Sequence, residues 1–228
     1  AQSSPLFKGI AELVDRLTSH QWGGSVSIIR TNKIIIFLPV EDEEKLRNSK
    51  LESMALAANL YERIKEQYSQ ADFSVGIGRP CESVLDLKRS FLEALEAIRM
   101  ARKIAVPHTV AHFEDFMVYH LLDSIRNRQD LERFFNNTVG KLVEYDEKNN
   151  TDLVNTLEQF FACKGNMSAA AEKLFIHRNT MMYRLEKIKS ILNVGLEDAE
   201  ELLELHLGLR VMRLLSLGRR PGPDKDAG

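Results

Sequence analysis

The sequence predicts an α+β region followed by an all-α region. Two β-branched runs within the first 40 residues, separated by a short polar segment, indicate a hairpin packed on helices. After Glu114 no strand pattern appears, and apolar residues recur only at helical spacing. A chain of 228 residues is long enough for two small domains, so the change of pattern near residue 115 is read as a domain boundary.

The first region reads as alternating helices and strands. A helix is expected at 6–19, followed by the hairpin in "SVSIIRTNKIIIFLPV" and a long helix from the acidic "EDEE" to about residue 69. The buried side of that long helix is expected to carry Met54, Ala58, Tyr61, Ile64 and Tyr68. "ADFSVGIGRP" and "TVAHF" read as strands that flank a helix over 83–103. That last helix is expected to bury Val84, Leu87, Phe91, Ala94, Leu95 and Ile98.

The second region reads as six helices. They are expected at 114–127, 130–148 and 151–162, then as two shorter helices within 166–192, and finally at 198–217. Asp198 and Glu201 give the last helix an Asp-x-x-Glu start signal. This Leu-rich helix has two apolar sides, one with Leu205 and Leu209 and another with Leu203, Leu207 and Leu214. The second side either meets a partner or is buried within its own domain.

Composition excludes several classes of protein. The formal charge of −2 gives no overall attraction to nucleic acid, so any such attraction needs a local patch. Cys81 and Cys163 are far apart, which argues against a disulfide framework or a thiolate zinc site and suits a cytoplasmic protein. No apolar run approaches the roughly 20 residues of a membrane helix.

The stretch "NMSAAAEKLFIHRNTMMYRLEKIK" has the pattern of a helix-turn-helix. Ser168 is expected to cap a short helix whose three alanines allow close packing. After a turn at 175–177, a second helix is expected from Arg178 to Leu192. Its inward stripe is Met181, Leu185, Ile188 and Leu192.

The outward side of the second helix has the chemistry of a DNA-reading surface. A polar face is usually simply solvated, but this one is rich in hydrogen-bond donors and poor in acids over its first two turns. Residues 163–193 hold six Lys and Arg against two Glu, a local excess of four positive charges. Arg and Asn pair with guanine and adenine edges, and Thr and Tyr bind phosphate or the thymine methyl group.

The segment "NMSAAAEKLFIHRNTMMYRLEKIKSILNVGL", followed by "LELHLGLRV", resembles the C-terminal domain of the CdaR/PucR family of bacterial transcription regulators, named for the carbohydrate-diacid regulators. The resemblance implies that Ser168 caps the positioning helix and that the residues from His177 to Arg184 lie where the recognition helix of the family meets DNA. With the outward Lys187 added, the expected DNA-binding residues are Ser168, His177, Arg178, Asn179, Thr180, Tyr183, Arg184 and Lys187.

The same resemblance implies that the first region is a GGDEF-like domain, with the ferredoxin-like sheet and helices of diguanylate cyclases. Active cyclases carry acids and glycines at the hairpin tip, but here the tip is Arg30, Thr31, Asn32 and Lys33, which cannot hold divalent ions. We therefore expect a degenerate domain and no enzyme activity, cofactor or metal. His112 and His120 show no metal-ligand spacing and are expected at the surface or the edge of the core, and His108 also lacks such spacing.

The expected organisation is a GGDEF-like domain at 1–115, a helical connector at 116–150, a helix-turn-helix domain at 151–217 and a disordered tail at 218–228. One recognition helix makes too few base contacts for useful specificity, so a homodimer on double-stranded DNA is expected. The resemblance implies control of a catabolic operon and a small-molecule effector bound upstream of residue 1.

Two other functions fit the sequence less well. The first region could bind a metabolite or nucleotide while the helical region docks a protein partner. Salt-dependent binding to a promoter fragment would distinguish the DNA-binding function from this one. A residual nucleotide enzyme would instead produce a cyclic dinucleotide from GTP and magnesium.

Overall fold

The computed structural model describes residues 5–106 and 110–215. The chain divides into two compact units, Ala1–Val118 and Tyr119–Gly228. The first unit mixes helices and strands, and in the described part of the second, residues 119–215, helices joined by turns and loops are the regular elements. The predicted fold class, α+β followed by all-α, is confirmed.

The first unit begins with a helix and a hairpin. Its elements in chain order are α1 (Pro5–Gln21), β1 (Val26–Arg30), β2 (Lys33–Phe37), α2 (Glu43–Gln67), β3 (Val75–Ile77), α3 (Leu87–Lys103) and β4 (Val110–His112). Strands β1 and β2 pair antiparallel, with Val26 opposite Phe37 and Arg30 opposite Lys33, as the sequence predicts. Strands β3 and β4 pair parallel in a separate two-stranded sheet.

Helices α1 and α2 share one apolar core, and here the predicted buried side of α2 is largely wrong. The core residues include Leu13 and Val14 of α1 and Leu56, Leu60 and Ile64 of α2. Of the five residues predicted for the buried side of α2, only Ile64 is buried, and Ala58 is exposed. The helix carries apolar residues on more than one side, and packing against α1 selects the side with Leu56 and Leu60.

Helix α3 begins later than predicted. A 3-10 turn, Val84–Asp86, precedes it and is capped by the hydroxyl of Ser83, which accepts from the backbone N–H of Leu85. Val84 therefore lies outside the helix and is 81% exposed, contrary to its predicted burial. The other five predicted positions on α3 are half-buried.

Strand β4 corrects the prediction for His112. The side chain is only 1% exposed, because β4 pairs with β3 and packs against α2 and α3. Burial lowers the pKa of His112, and its Nδ1 accepts a hydrogen bond from the backbone N–H of Glu114. His120 is half-buried, as expected for the edge of a core, and His108 lies outside the described residues.

The second unit is built from consecutive helices. After a 3-10 turn at Phe113–Phe116 come α4 (Met117–Asp123), which crosses the boundary between the units, α5 (Arg128–Phe135), a π turn (Asn136–Gly140), α6 (Lys141–Asn149), α7 (Leu153–Ala162), α8 (Met167–Lys173), α9 (Arg178–Leu192) and α10 (Ala199–Leu215). The helix predicted at 114–127 is shorter, and the one predicted at 130–148 runs from α5 through the π turn into α6. The predicted tail at 218–228 lies outside the described residues.

Helix α10 begins where the sequence predicts and packs mainly within its own unit. The Asp198 carboxylate accepts hydrogen bonds from the backbone N–H groups of Glu200 and Glu201, at 2.9 and 3.0 Å. Leu205, Leu209 and Leu214 are buried, and Leu203 is 52% exposed. Burial within the unit therefore accounts for the side with Leu205 and Leu209, whereas on the second side Leu214 is buried, Leu207 is half-buried and Leu203 is exposed.

Within residues 5–106 and 110–215, no helix combines the length and the apolar content needed to span a bilayer.

Candidate nucleic-acid interface

The helices α7, α8 and α9 share a core that fixes which side of α9 faces outward. Met181 and Ile188 are fully buried and Leu185 is 7% exposed, which confirms three positions of the predicted inward stripe. They lie in one cluster with Leu157 of α7 and Ala170 of α8. Because Ala170 has only a methyl side chain and is fully buried, α8 can approach its neighbours closely.

Asn166, and not the predicted Ser168, caps the start of α8. The Asn166 side-chain oxygen accepts a hydrogen bond from the backbone N–H of Ala169 at 3.1 Å. Ser168 lies inside the helix with its side chain exposed. Both residue types are good caps, but the left-handed Gly165, at φ +79°, ends the preceding turn directly before Asn166.

The turn between α8 and α9 contains a residue in the left-handed region and ends on a histidine cap. Phe175 has φ +54°, and the next backbone N–H, of Ile176, donates to the Ala171 carbonyl at 3.0 Å. His177 then caps α9, because its Nδ1 accepts from the backbone N–H of Asn179 at 3.2 Å. The cap requires an unprotonated Nδ1, since a protonated nitrogen has no lone pair to accept with.

The first two turns of α9 present donors to solvent. His177, Arg178, Asn179 and Thr180 are exposed, and Tyr183 is 69% exposed. Within residues 5–106 and 110–215, Arg178 forms no ion pair. These five side chains lie close together along the chain and are available to an external partner.

Two further predicted site residues are half-buried and already engaged. The Arg184 Nη1 donates to the Thr156 hydroxyl at 3.1 Å, and that fully buried hydroxyl donates to the Asp152 carbonyl at 2.7 Å. The Lys187 ammonium lies 5.1 Å from the centre of the Tyr145 ring, within cation–π range. Both side chains therefore connect α9 to its own scaffold.

Part of the local positive charge is compensated nearby. Lys189 pairs with Glu186 at 2.9 Å, and its hydrogen bond to that carboxylate raises the pKa of Lys189. Lys164, Lys173 and Arg178 are exposed and make no ion pair among the described residues. The available charge is thus concentrated around α8 and the start of α9.

The predictions from the sequence do not include the residues that cap the helices of this site or the side chains that hold α9 against its neighbours. The contact of Arg184 joins residues 28 positions apart, and nothing in the local sequence signals it. The cap at His177 could be predicted from the sequence, because this residue stands just before a helix, where a side-chain acceptor satisfies a free backbone N–H group. The strained and exposed Phe175 carries no distinctive pattern.

The hairpin tip of the first unit presents the side chains that the sequence predicts there. Arg30, Thr31, Asn32 and Lys33 are all exposed, and Thr31 adopts the left-handed conformation with φ +49°. Among the described residues, no group of three or more His, Cys, Asp or Glu is placed to hold a metal ion.

Comparison with protein families matches both parts of the chain. Residues 153–211 match the PucR C-terminal helix-turn-helix domain, a range that contains α7 to α9 and most of α10. Residues 2–100 match the GGDEF-like domain.

Several curated proteins are similar to this chain. The DNA-binding transcriptional activator AdeR of Bacillus subtilis is 25% identical over 199 residues, which cover 86% of this chain and 46% of AdeR. The purine catabolism regulatory protein of the same organism is 32% identical over 63% of this chain and 27% of its own length. The carbohydrate diacid regulator of Escherichia coli is 26% identical over 89% of this chain and 51% of its own. The chain thus spans about half, or less, of the length of these relatives.

Proposed function

We propose that this chain, which matches the PucR C-terminal helix-turn-helix domain and the GGDEF-like domain, is a regulator of the CdaR/PucR type that binds double-stranded DNA sequence-specifically through α8 and α9 and thereby regulates transcription. The observation that carries the proposal is the free donor surface at the start of α9. Arg178, Asn179, Thr180 and Tyr183 are exposed there, while the opposite stripe of the helix is sealed in the core. An α-helix with this division fits the major groove of B-form DNA.

The residues of the interface take two kinds of role. The side chains of Arg178, Asn179, Thr180 and Tyr183 contact base edges and phosphates, and Ser168 and His177 contact the flanking backbone. Arg184 and Lys187 act mainly by holding α9 in place, since their charged groups already engage Thr156 and Tyr145. DNA affinity therefore depends on both sets, but of these residues Arg178 is the one whose free charge neutralises a phosphate.

The active species is a homodimer. One helix that makes a few bidentate contacts gains roughly 1–3 kcal/mol from each. A specific regulator needs about 4–10 kcal/mol over non-specific binding, which two copies on half-sites one helical turn apart supply. Sedimentation of the protein with and without a selected duplex tests this stoichiometry, and one chain per duplex at saturation would contradict it.

The GGDEF-like unit has a regulatory role and no catalytic one. Its hairpin tip exposes Arg30 and Lys33, and neither side chain can ligate a divalent cation at neutral pH. Control of a catabolic operon is supported by two similar proteins, a purine catabolism regulatory protein and a carbohydrate diacid regulator, and the effector is bound outside the two units. Incubation with GTP and magnesium should yield no cyclic dinucleotide, and any such product would refute this assignment.

The decisive experiment is selection of duplexes from a random-sequence pool, followed by titration at several salt concentrations. Arg178→Ala should weaken binding and reduce the slope of log K against log salt by about 1, because one phosphate or base contact is lost. Arg133→Ala is the matched control, since this exposed arginine lies on α5 and has an ordinary surface pair with Asp130.

An unchanged slope and affinity in Arg178→Ala would count against α9 as the recognition helix. Failure to select any sequence would favour the other function considered, a ligand-binding module whose helical unit docks a protein.

A further inference from the structure

The turn between α8 and α9 holds an aromatic side chain in an unfavourable setting. The Phe175 side chain is 96% exposed, the highest exposure among the large apolar residues that the structure describes. Its backbone has φ +54°, a left-handed conformation that a Cβ-bearing residue adopts at a cost and that glycine or asparagine adopts readily. At this position the ring gives the folded chain no packing that would offset either cost.

Two exposed cationic side chains lie within three residues of Phe175 in the sequence. Lys173, at the end of α8, and Arg178, at the start of α9, are both exposed. Neither forms an ion pair within the parts of the chain that the structure describes. An apolar ring with two cations close to it in sequence, neither of them in an ion pair, complements a polyanion that also offers apolar surface, and DNA does so through its deoxyribose rings and base faces.

We infer that Phe175 is a DNA-contacting residue, whose ring packs on the sugar and base surface beside the groove entered by α9. The inference rests on the proposed function and adds to it a contact that carries no charge and donates no hydrogen bond. This role accounts for the left-handed conformation of Phe175, which directs its ring away from the core while the next residue, Ile176, packs against the core.

The test uses substitutions that separate the ring from the backbone conformation. Phe175→Gly and Phe175→Asn both tolerate the left-handed conformation and both remove the ring. Phe175→Tyr keeps the ring and is the matched control. Binding of the whole chain is measured with labelled duplexes of about 30 base pairs selected from a random pool, long enough for two half-sites.

We expect the glycine and asparagine variants to bind selected DNA about tenfold more weakly, the loss that follows when an apolar contact of this size is removed. Their salt slope should equal that of the wild type, because no charge is lost, whereas Arg178→Ala should lower the slope. Their thermal midpoint should be unchanged or higher, since backbone strain is relieved. Phe175→Tyr should bind within about twofold of wild type, a difference well below 1 kcal/mol.

A loss of affinity without a loss of stability would exclude a merely structural role. Wild-type affinity in both the glycine and asparagine variants would overturn the inference and leave the proposed function intact. If the variants bound DNA normally but failed to regulate transcription, the ring would contact a protein instead, which also overturns it. Selection of no duplex by the wild type would overturn the proposed function and this inference together.

Discussion

The bond between Arg184 and Thr156 makes a quantitative prediction about how the recognition helix is held. Thr156→Val keeps the shape of a fully buried side chain but removes its hydroxyl, which accepts from Arg184 and donates to the Asp152 carbonyl. A hydrogen bond to a charged group is worth roughly 1.5–3 kcal/mol, and water offsets part of the loss at the half-buried Arg184. We expect the helical unit to lose about 1–2 kcal/mol of unfolding free energy.

The measurement separates the two units. Trp22 is the single tryptophan and lies in the first unit, so its fluorescence follows that unit, whereas far-UV circular dichroism follows the helices of both. Thr156→Val should lower the midpoint of the dichroism transition by roughly 4–8 °C per kcal/mol lost, the range for a unit of this size. The Trp22 transition should not move.

A double-mutant cycle tests whether the contact itself is responsible. Arg184→Ala and Thr156→Val should be non-additive, with a coupling of about 1 kcal/mol. Arg184→Ala should also weaken DNA binding while leaving the salt slope unchanged, and Arg184→Lys should restore stability only in part, since lysine lacks the planar fork. Additive effects, together with a salt slope reduced by about 1, would show that Arg184 contacts phosphate and would contradict the proposal that it holds α9 in place through Thr156.

Two further predictions concern the first unit. Gly76→Ala should destabilise the first unit by about 1–3 kcal/mol, because the added methyl would overlap the backbone carbonyl of Ala94. Gly23→Ala is the control and should be neutral, since open space surrounds that glycine. Equal Trp22 transitions in the two variants would contradict this prediction. Burial lowers the pKa of His112, so the unfolded chain binds a proton that the folded chain does not, and stability should fall as the pH drops below about 6.5. His112→Asn should flatten that dependence below about pH 6.5, and a pH profile identical to wild type would place the titration elsewhere.

The sequence predicts elements best where one stripe of apolar residues has no competitor. In α9, only Met181, Leu185, Ile188 and Leu192 give an inward stripe, and both ends of the predicted helix agree with the structure. In α2, the same periodicity can be satisfied along more than one side of 25 residues. Packing of α2 against α1 and against neighbouring strands decides between those sides, and these contacts are tertiary information.

Cap positions show a second limit of local reasoning. Asn166 and Ser168 are both favourable caps, and their order of preference in isolated helices does not distinguish them. The choice depends on the backbone of Gly165, whose left-handed conformation brings the chain into α8 immediately at Asn166. A pattern of residue types cannot specify such a backbone angle when either register gives a plausible helix.

The sequence predicts the part of the candidate interface that follows directly from the core, because burying the apolar stripe of α9 leaves its other side exposed. Burial of Met181, Leu185 and Ile188 forces Arg178, Asn179 and the residues beside them outward, so most of the donor surface follows from one stripe. Long cationic side chains escape this logic, because their stems can lie along the protein while the charged end turns inward or outward. Their positions on α9 predict DNA contacts for Arg184 and Lys187, yet their charged groups contact Thr156 and Tyr145. Whether a cation reads DNA or holds the helix that does so is therefore decided by neighbours distant in sequence, and the two roles differ measurably in the stability of the helical unit and in the salt slope.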